Sequence, residues 1–500
     1  MTSASTRAGL LVYSAAPPLP PSDLRRLLLL AALLPIGRAA LLHWGGFELH
    51  FDEAQYWEWS RRLDWSYYSK GPLVAWLIAA STAVFGQGEW QIRLPGWLAF
   101  DAFLLLLFLA AREMAGSSRA GWWAVTLALA TPLYVLLGGV MTTDVLLLPL
   151  WTLGLWAAYR IAEHGAARSW YALGVAVGLG ALTKLSIGLL PLFAGPLLLL
   201  SPKGRETLRT PHPWLAALLA LGLIAPLIIW NAGHDWVLFR HERGHVAGRG
   251  EETGHLVEFL LGQGLAVFPL LLAVPAARLL RPPSGSGQRL VWGASLLTFA
   301  FFVAKAAVSK VQINWPAPAY VGVLVLLAAC APSLGPSGRR TLQVGIVLGL
   351  LAGLLAHVPG VVGLRGERDP FAETKAWRVP VAELARRAGT VDFILTTRYT
   401  LAGELAFYWP VSVPVYLTGD AGRRMNQYDL WPGVDRERGH TGLVVLTRPE
   451  RPEFLDRAFS ACDALPPEPA RTRDGEVVRT LYAWRCVDYR PIDWPRPAYH

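Results

Sequence analysis

Long apolar stretches separated by short polar segments occupy most of the first 360 residues of the chain. Because an α-helix rises about 1.5 Å per residue and a bilayer core is roughly 30 Å thick, such stretches predict membrane-spanning helices. The eleven predicted spans are 24–44, 95–113, 119–138, 143–162, 170–184, 185–200, 213–230, 258–279, 289–308, 316–333 and 341–360. A further apolar stretch, 72–86, is too short to cross and predicts a juxtamembrane or re-entrant helix.

The pattern changes after residue 360, where short β-rich runs alternate with amphipathic helical segments. The runs are "VDFILTT", "VSVPVYLTG", "TGLVVLTR" and "VVRTLYAWRCV", with "VAELARRAG" and "RPEFLDRAF" as the helical segments. This alternation predicts a small α/β domain over 361–500. Residues 1–22, rich in Ala, Ser and Pro, predict a disordered cytoplasmic leader, which leaves 23–360 as the membrane domain.

Composition supports a mainly α, polytopic transmembrane bundle, since 53% of the residues are hydrophobic and 16% are charged. The formal net charge of +10 does not form one patch, which argues against nucleic acid as a partner. Cys330 lies inside an apolar block and is interpreted as a core residue. Cys462 and Cys486 lie in the tail and could pair if it is exported; the sequence leaves pairing and non-pairing equally open.

The arginines fix the predicted orientation. If 72–86 does not cross, the loops on one side contain Arg112 and Arg119, Arg160 and Arg168, Lys203, Arg205 and Arg209, Arg278, Arg281 and Arg289, and Arg339 and Arg340. The opposite turn, "GGVMTTD", contains no basic residue. The positive-inside rule therefore predicts that the first outer loop, 45–94, the loop 231–257 and the tail lie on the side of the membrane opposite the cytoplasm.

The first outer loop concentrates charges and aromatic rings in "FDEAQYWEWSRRLDWSYYSKGPL". Tyrosine and tryptophan are ordinary residues of a membrane interface, and the rings as a group are explained that way. Asp52, Glu53 and Lys70 are interpreted as functional, because other outer segments offer matching groups. Asp144 opens a predicted span from the outer side; helix capping and a functional role explain it equally well.

The loop 231–257 is rich in histidine and arginine. His241 and His245 are four residues apart, as helical zinc ligands would be, but no cysteine or acidic partner completes a zinc pattern. The loop is therefore interpreted as basic and phosphate-facing, with Lys310 adding a cation on the same side. Cations, carboxylates and aromatic rings at bilayer depth suit a lipid-linked sugar phosphate. The bundle has no glycine-rich loop that would favour a nucleotide-sugar donor.

Several motifs resemble the lipid-dependent membrane glycosyltransferases of bacteria, a superfamily that includes protein O-mannosyltransferases and aminoarabinose transferases. The resemblance rests on "DEAQYWEWS" with "YYSKGPL", "RLPG", "TTD", "WNAGHDW", "NWPAPAY" and "GRRMNQYDLWPG". It implies the C-type glycosyltransferase fold and an inverting enzyme. Such an enzyme moves a sugar from a polyprenyl phosphate to a hydroxyl on a protein, lipid or glycan.

The resemblance and the outer-face chemistry together assign three sets of residues. The predicted catalytic residues are Asp52, Glu53 and Asp144. The predicted donor-phosphate residues are Lys70, Arg240, Arg243 and Lys310. The predicted sugar or acceptor contacts are Tyr56, Tyr67, Tyr68, Asn231, His234, Asn314 and Trp315. Ser69, Gly71 and Gln55 depart from the aminoarabinose transferase pattern, which argues against that sugar.

No cofactor is required by these assignments, although Asp52, Glu53 and Asp144 could hold a divalent metal ion. Three alternatives stay open from the sequence. One is a lipid or sugar transporter or flippase, for which Arg38 and Lys305 would be candidate midplane charges. Another is a non-catalytic assembly protein that works through its tail, and the third is a glycan ligase with a polyprenyl-diphosphate donor.

Overall fold

The computed structural model describes residues 18–247, 255–268, 282–357, 366, 369–418 and 423–497, without the side chains of 245–247. The helices are α1 (Pro21–Trp44), α2 (Phe51–Ser60), α3 (Leu73–Phe85), α4 (Glu89–Ala115), α5 (Ser118–Leu129), α6 (Pro132–Leu137), α7 (Thr143–His164), α8 (Ser169–Ala181), α9 (Leu189–Leu200), α10 (Pro202–Thr207), α11 (His212–Ala232), α12 (Val237–Ala247), α13 (Leu256–Ala266), α14 (Ser286–Ala306), α15 (Ala317–Cys330), α16 (Pro336–His357), α17 (Arg378–Ala388), α18 (Tyr399–Tyr408) and α19 (Leu455–Ala458). The strands are β1 (Phe393–Thr396), β2 (Val415–Leu417), β3 (Gly442–Leu446), β4 (Phe459–Ala464), β5 (Glu468–Arg471) and β6 (Val477–Tyr489).

Every predicted span contains at least one helix. In the described part of the chain, six helices are long and apolar enough to cross a membrane: α1, α4, α7, α11, α14 and α16. The other predicted spans correspond to shorter apolar helices, and the stretch 72–86 forms the short helix α3. The predicted span 119–138 is divided at Thr131, because Pro132 starts a new helix, α6. The part of the predicted span 258–279 beyond residue 268 lies outside the described residues.

Helix α7 lies at the centre of the bundle: 72% of its most apolar segment is buried, compared with 11% for α1. Small residues allow its neighbours to approach closely. A Cβ atom on Gly174 of α8 would lie 2.5 Å from the carbonyl oxygen of Ala216 on α11. Such contacts through small residues are typical of helix packing in membranes. The central position of α7 places Asp144, near its outer end, between several other helices.

The tail folds around one sheet with the strand order β2-β1-β3-β6-β4, and β5 pairs with β6. Strand β1 is parallel to β2 and β3, and β6 is antiparallel to β3 and β4. All four residues of β1 are buried, which explains why this strand is an unbroken apolar run. Strands β4 and β5 were not predicted, since "FSACDA" and "EPAR" lack that apolar character.

The tail packs directly against the first outer loop. A Cβ atom on Gly403 of α18 would lie 3.0 Å from the backbone nitrogen of Gln55 on α2. The hydroxyl of Tyr408 accepts a hydrogen bond from the backbone N–H of Leu49 (2.8 Å) and donates one to Glu89 (2.7 Å). Helix α2 is therefore held between the bundle and the tail.

The structure pairs Cys462 with Cys486 in a disulfide between β4 and β6, where the two residues face each other in register. Cys330 is the last residue of α15 and is exposed, so its interpretation as a core residue is wrong. The end of a helix leaves a side chain accessible even when the preceding residues are apolar.

We expect the double substitution Cys462→Ala/Cys486→Ala to destabilise the tail by roughly 3 kcal/mol, because the disulfide closes a loop of 24 residues that would otherwise gain entropy on unfolding. Thermal unfolding of the purified protein under oxidising conditions measures this change. Cys330→Ala is the matched control and should leave the melting temperature unchanged. An equal melting temperature for the double variant and the wild type would contradict the prediction.

Candidate active site

Asp52 lies in the first turn of α2, and local hydrogen bonds fix that turn. The His50 ring nitrogen Nδ1 accepts a hydrogen bond from the backbone N–H of Asp52 (3.2 Å). In return, the Glu53 carboxylate accepts one from the backbone N–H of His50 (3.0 Å). This reciprocal arrangement is a capping box, which satisfies helix-end donors and defines where the helix starts. The Asp52 side chain retains about 36% exposure.

The surroundings of Asp52 suit a proton acceptor. Desolvation of this partly enclosed carboxyl raises its pKa, and the neighbouring Asp144 carboxylate raises it further. His50, Lys70 and Lys184 act in the opposite direction, so two lysines of the outer face lie within electrostatic reach of this carboxyl. A raised pKa makes a carboxylate a stronger base.

Glu53 is fully buried, and both of its carboxylate oxygens accept hydrogen bonds. The Arg93 guanidinium donates to it from Nε (2.9 Å) and from Nη2 (2.8 Å), and the backbone N–H of Met141 donates to the same carboxylate (2.8 Å). In this structure both carboxylate oxygens of Glu53 are occupied by protein donors, and its catalytic role stays a prediction. Its carboxylate joins the start of α2 to α4 and to the turn before α7.

Both carboxylate oxygens of Asp144 also accept hydrogen bonds. One of its carboxylate oxygens accepts a hydrogen bond from the Lys184 ammonium (2.8 Å), and the other accepts one from the Asn314 amide (2.9 Å). Thr142 caps α7, because its hydroxyl accepts a hydrogen bond from the backbone N–H of Val145 (3.4 Å). The capping role is thus filled by Thr142, and Asp144 is the junction of three segments of the chain.

Three lysines from separate segments, Lys70, Lys184 and Lys305, line one cavity of about 250 Å³, which we call the lysine cavity. Its other lining residues are Leu185, Ser186, Gly188, Leu189, Glu242, Phe301, Phe302 and Trp315. The cavity therefore combines cations with an apolar and aromatic wall. A phosphate attached to a hydrocarbon chain needs both of these surfaces.

Trp315 organises the cations of the lysine cavity. Its ring centroid lies 5.9 Å from the Lys184 ammonium and 5.5 Å from the Lys305 ammonium, within cation–π range. Lys305 also donates to the Ser309 hydroxyl (2.7 Å), and Lys70 contacts the Glu242 carboxylate (3.4 Å). The partners of Lys70 and Lys305 leave both lysines at the cavity surface.

Two predicted sugar contacts are structural. Asn231 is fully buried; its amide donates to the Ser66 hydroxyl (3.1 Å) and its oxygen accepts from the backbone N–H of Leu238 (3.2 Å). Tyr67 is fully buried and stacks on Trp59 with 4.5 Å between ring centroids. In this structure neither side chain offers a surface to a substrate, and sugar binding by them stays a prediction.

The remaining predicted aromatic contacts fall in two places. Tyr56 lies near Asp52 and Asp144 and forms a hydrogen bond with Thr143. Tyr68 packs edge-on against the His241 ring on α12, with 4.9 Å between the ring centroids. It also belongs to a small apolar cluster that includes Met425 of the tail. His234 is exposed and stacks on the Trp230 ring at 3.8 Å.

Arg240, Arg243 and Lys310 are exposed and do not line the lysine cavity. Lys184 and Lys305 line it together with Lys70, and phosphate binding by Arg240, Arg243 and Lys310 stays a prediction. A signal for both lysines was present in the sequence, because each is a charge at the end of an apolar stretch. The motif "RLPG" contains Arg93, and the local sequence does not predict its ion pair with Glu53.

The tail segment 423–431 contacts the outer loop and α12 together. The Gln427 side chain accepts a hydrogen bond from the backbone N–H of Tyr68 (2.7 Å), and Arg424 contacts the His241 ring (2.8 Å). The Tyr428 hydroxyl donates to Glu58 on the inner face of α2. This segment, part of the motif "GRRMNQYDLWPG", therefore connects the tail to both elements that flank Lys70.

Burial raises the pKa of Glu58 to about 7, although the hydrogen bond from Tyr428 and the charges of Arg62 and Arg61 lower it. Because the folded-state pKa exceeds that of the unfolded chain, this group stabilises the fold fully at low pH. The contribution is lost as pH rises through about 7. We expect wild-type unfolding free energy to fall by roughly 1–3 kcal/mol between pH 5 and 8 from this group.

Glu58→Gln should flatten this pH dependence, since glutamine stays neutral throughout. Thermal unfolding measured in one detergent at several pH values checks the expectation. Glu450→Gln, at an exposed position of the tail, is the control. Identical pH profiles for Glu58→Gln and wild type would contradict it.

Asp52, Glu53 and Asp144 do not assemble a metal site. Among the described residues, no group of three or more histidine, cysteine, aspartate or glutamate side chains is arranged to hold a metal ion. Glu53 is bound by Arg93, and Asp144 is bound by Lys184 and Asn314. The His245 side chain lies outside the described residues.

Comparison with known proteins agrees with this geometry. Residues 69–230 match the family described as dolichyl-phosphate-mannose-protein mannosyltransferase. The chain is 29% identical to the lipid A galacturonosyltransferase RgtD of Rhizobium johnstonii over 80% of this chain and 86% of the relative. It is 27% identical to undecaprenyl phosphate-alpha-4-amino-4-deoxy-L-arabinose arabinosyl transferase 2 of Pseudomonas fluorescens, over 58% of this chain and 52% of that relative.

Solved structures show the same fold. The crystal structure of ArnT from Cupriavidus metallidurans bound to undecaprenyl phosphate aligns with a TM-score of 0.67 at 18% identity. The alignment covers 92% of this chain and 98% of that chain. The apo structure of the same protein aligns with a TM-score of 0.66.

The motifs, the matched family, the relatives and the fold agree with one another. A helical bundle with carboxylates near a cavity lined by three lysines fits the same class of enzyme. The chain is a multi-pass membrane glycosyltransferase with the C-type fold, and it is similar to protein mannosyltransferases and to transferases named for lipid-linked sugar donors.

Proposed function

We propose that the protein transfers a sugar from a polyprenyl phosphate to a hydroxyl of a lipid A-type acceptor. The reaction takes place on the outer face of the cytoplasmic membrane. The acceptor class is supported by the similarity to a lipid A galacturonosyltransferase. The arginine-rich loops on the opposite side of the bundle support the orientation.

The observation that carries the proposal is the lysine cavity. Lys70, Lys184 and Lys305 line it together with Trp315, and Asp52 lies within electrostatic reach of Lys70 and Lys184. The lysines hold the donor phosphate, and the apolar wall at Leu189 and Phe302 accommodates the first part of the isoprenoid. The sugar carbon that bears the phosphate then lies between the lysines and Asp52.

In the proposed reaction, Asp52 accepts the proton of the acceptor hydroxyl. The hydroxyl oxygen bonds to the anomeric carbon as the carbon–phosphate oxygen bond breaks on the opposite face, which inverts the anomeric configuration. The negative charge that develops on the polyprenyl phosphate is stabilised by the lysines. Glu53 and Arg93 position Asp52 without contacting the substrate.

Native mass spectrometry of the detergent-purified protein with added undecaprenyl phosphate tests the donor class. We expect Lys70→Gln and Lys305→Gln each to weaken binding about 10- to 100-fold, because a hydrogen bond to a charged group contributes about 1.5–3 kcal/mol. A sugar that stays attached to a co-purified lipid is identified by its mass.

Lys310→Gln is the matched control, because Lys310 is an exposed lysine on the same side that does not line the lysine cavity. It should bind the lipid as wild type does. Equal losses at Lys310 and Lys70 would reject the lysine cavity as the donor site. A wild-type protein that retains no isoprenoid would favour the transporter alternative.

A further inference from the structure

A second cavity, of about 1140 Å³, lies between the end of α1, the start of α4 and the tail. Leu42 and Trp97 form its apolar part, and the turn between β5 and β6 forms one wall. Among the described residues that line it, neither Asp52 nor a residue of the lysine cavity is present. It is therefore a site separate from the donor phosphate.

The turn between β5 and β6 touches the end of the first span. Gly46, with a φ of +69°, follows α1, and a Cβ atom at this position would lie 3.7 Å from the Arg473 side chain. Trp44, also lining the cavity, is 72% exposed. A tryptophan at the end of a span marks the membrane–water interface. The cavity therefore lies at the depth of the lipid headgroups.

Most cations of this cavity are neutralised by carboxylates. Arg93 pairs with Glu53, Lys375 with Asp369 and Arg378 with Glu89. The two arginines of the β5–β6 turn, Arg471 and Arg473, differ from these three cations because neither is paired with a described carboxylate.

Arg471 donates to the backbone carbonyl of Gly475 (2.9 Å), and neither Arg471 nor Arg473 forms an ion pair with any described carboxylate. Both arginines are exposed. Asp474 also lines the cavity and offsets part of their charge. Glu476 lies in the same turn, so the turn has no net charge, and what distinguishes the two arginines is that neither is paired with a described carboxylate above the apolar floor.

We propose that this cavity binds the phosphorylated headgroup of an outer-leaflet lipid, with Arg471 and Arg473 holding the phosphate. A guanidinium binds phosphate oxygens through paired N–H donors, and two adjacent guanidiniums suit a phosphate monoester or diester. Leu42 and Trp97 contact the apolar part of the same lipid. The inference rests on the proposed orientation of the tail, and it adds a lipid site beyond the donor site.

The chemistry is that of a phosphate-bearing lipid, and two sources supply it: the acceptor, if it is of the lipid A type, or an ordinary anionic phospholipid. Native mass spectrometry of the full chain in a neutral detergent separates them. The probes are phosphorylated lipid A, phosphatidylglycerol and an uncharged diacylglycerol with the same acyl chains.

We expect wild type to retain a phosphorylated lipid, and Arg471→Gln/Arg473→Gln to bind it at least tenfold more weakly. Retention of lipid A alone identifies an acceptor site, and retention of both phosphorylated lipids identifies a general phospholipid site. Arg386→Gln/Arg451→Gln is the control, since it removes the same charge from exposed tail positions that do not line the cavity.

Two results would overturn the inference: equal binding by the arginine double variant and its control, or equal retention of the uncharged diacylglycerol. Lys70→Gln separates this inference from the proposed function. It should lose undecaprenyl phosphate and keep the second lipid. Loss of undecaprenyl phosphate binding in wild type would reject the donor site without affecting the arginine comparison.

Discussion

Asp52→Asn should lower the rate of sugar transfer by about 10²- to 10⁴-fold, the usual contribution of a general base. Asparagine keeps the size and the position in the first turn of α2 but cannot accept the proton of the acceptor hydroxyl. Because the lysine cavity is untouched, the variant should bind undecaprenyl phosphate as wild type does. The measurement is single-turnover transfer from the lipid-linked donor, combined with native mass spectrometry of the bound lipid.

The pH dependence of the transfer rate is a second test of the role of Asp52. Desolvation and Asp144 raise the pKa of Asp52, and the base must be deprotonated to act, so wild-type transfer should fall as pH drops through that raised value. Asp64→Asn, in the same outer loop, is the control and should retain wild-type transfer. Near-normal turnover in Asp52→Asn would reject its assignment as the base.

The ion pair between Glu53 and Arg93 should produce the largest loss of stability. Both side chains are buried, and removing one partner leaves an uncompensated charge, which typically costs about 3–5 kcal/mol. Arg93→Met should therefore lower the melting temperature strongly. Glu53→Leu/Arg93→Met should recover part of the loss, because no buried charge remains. Thermal unfolding in one detergent measures both variants.

Arg378→Gln is the comparison, because Arg378 is largely exposed and its ion pair with Glu89 should contribute less than about 1 kcal/mol. Transfer activity separates positioning from stability. If Glu53 positions Asp52, the double variant should remain folded yet transfer sugar slowly. A double variant with wild-type transfer would show that the ion pair serves the fold alone.

The sequence predicted the elements that depend on local pattern. Apolar length located the helices, and the unbroken apolar run of β1 located a buried strand. The stretch 72–86 was too short to cross, and it forms a short helix as predicted. Strand β4 was missed because its stability comes from pairing with β6 and from the disulfide, neither of which is a property of the local sequence.

Charge near the site was predicted, but its distribution was not. Asp52 and Lys70 were found because they stand in one short motif. Lys184 and Asn314 reach Asp144 across 40 and 170 residues, and no local pattern encodes such distances. Similarly, Asn231 was predicted to bind sugar because it lies in a motif, whereas burial assigns it to the loop core.

The sequence by itself determined the class of the protein and its apolar helices, and it predicted the side of the bundle on which the carboxylates lie. These features follow from hydrophobic length and from the distribution of arginines. Only the tertiary structure decided which carboxylates are accessible and which cations surround one cavity. The reason is physical: Asp52 and Glu53 are chemically alike and adjacent in the chain, and only packing leaves Asp52 partly exposed and pairs Glu53 with Arg93.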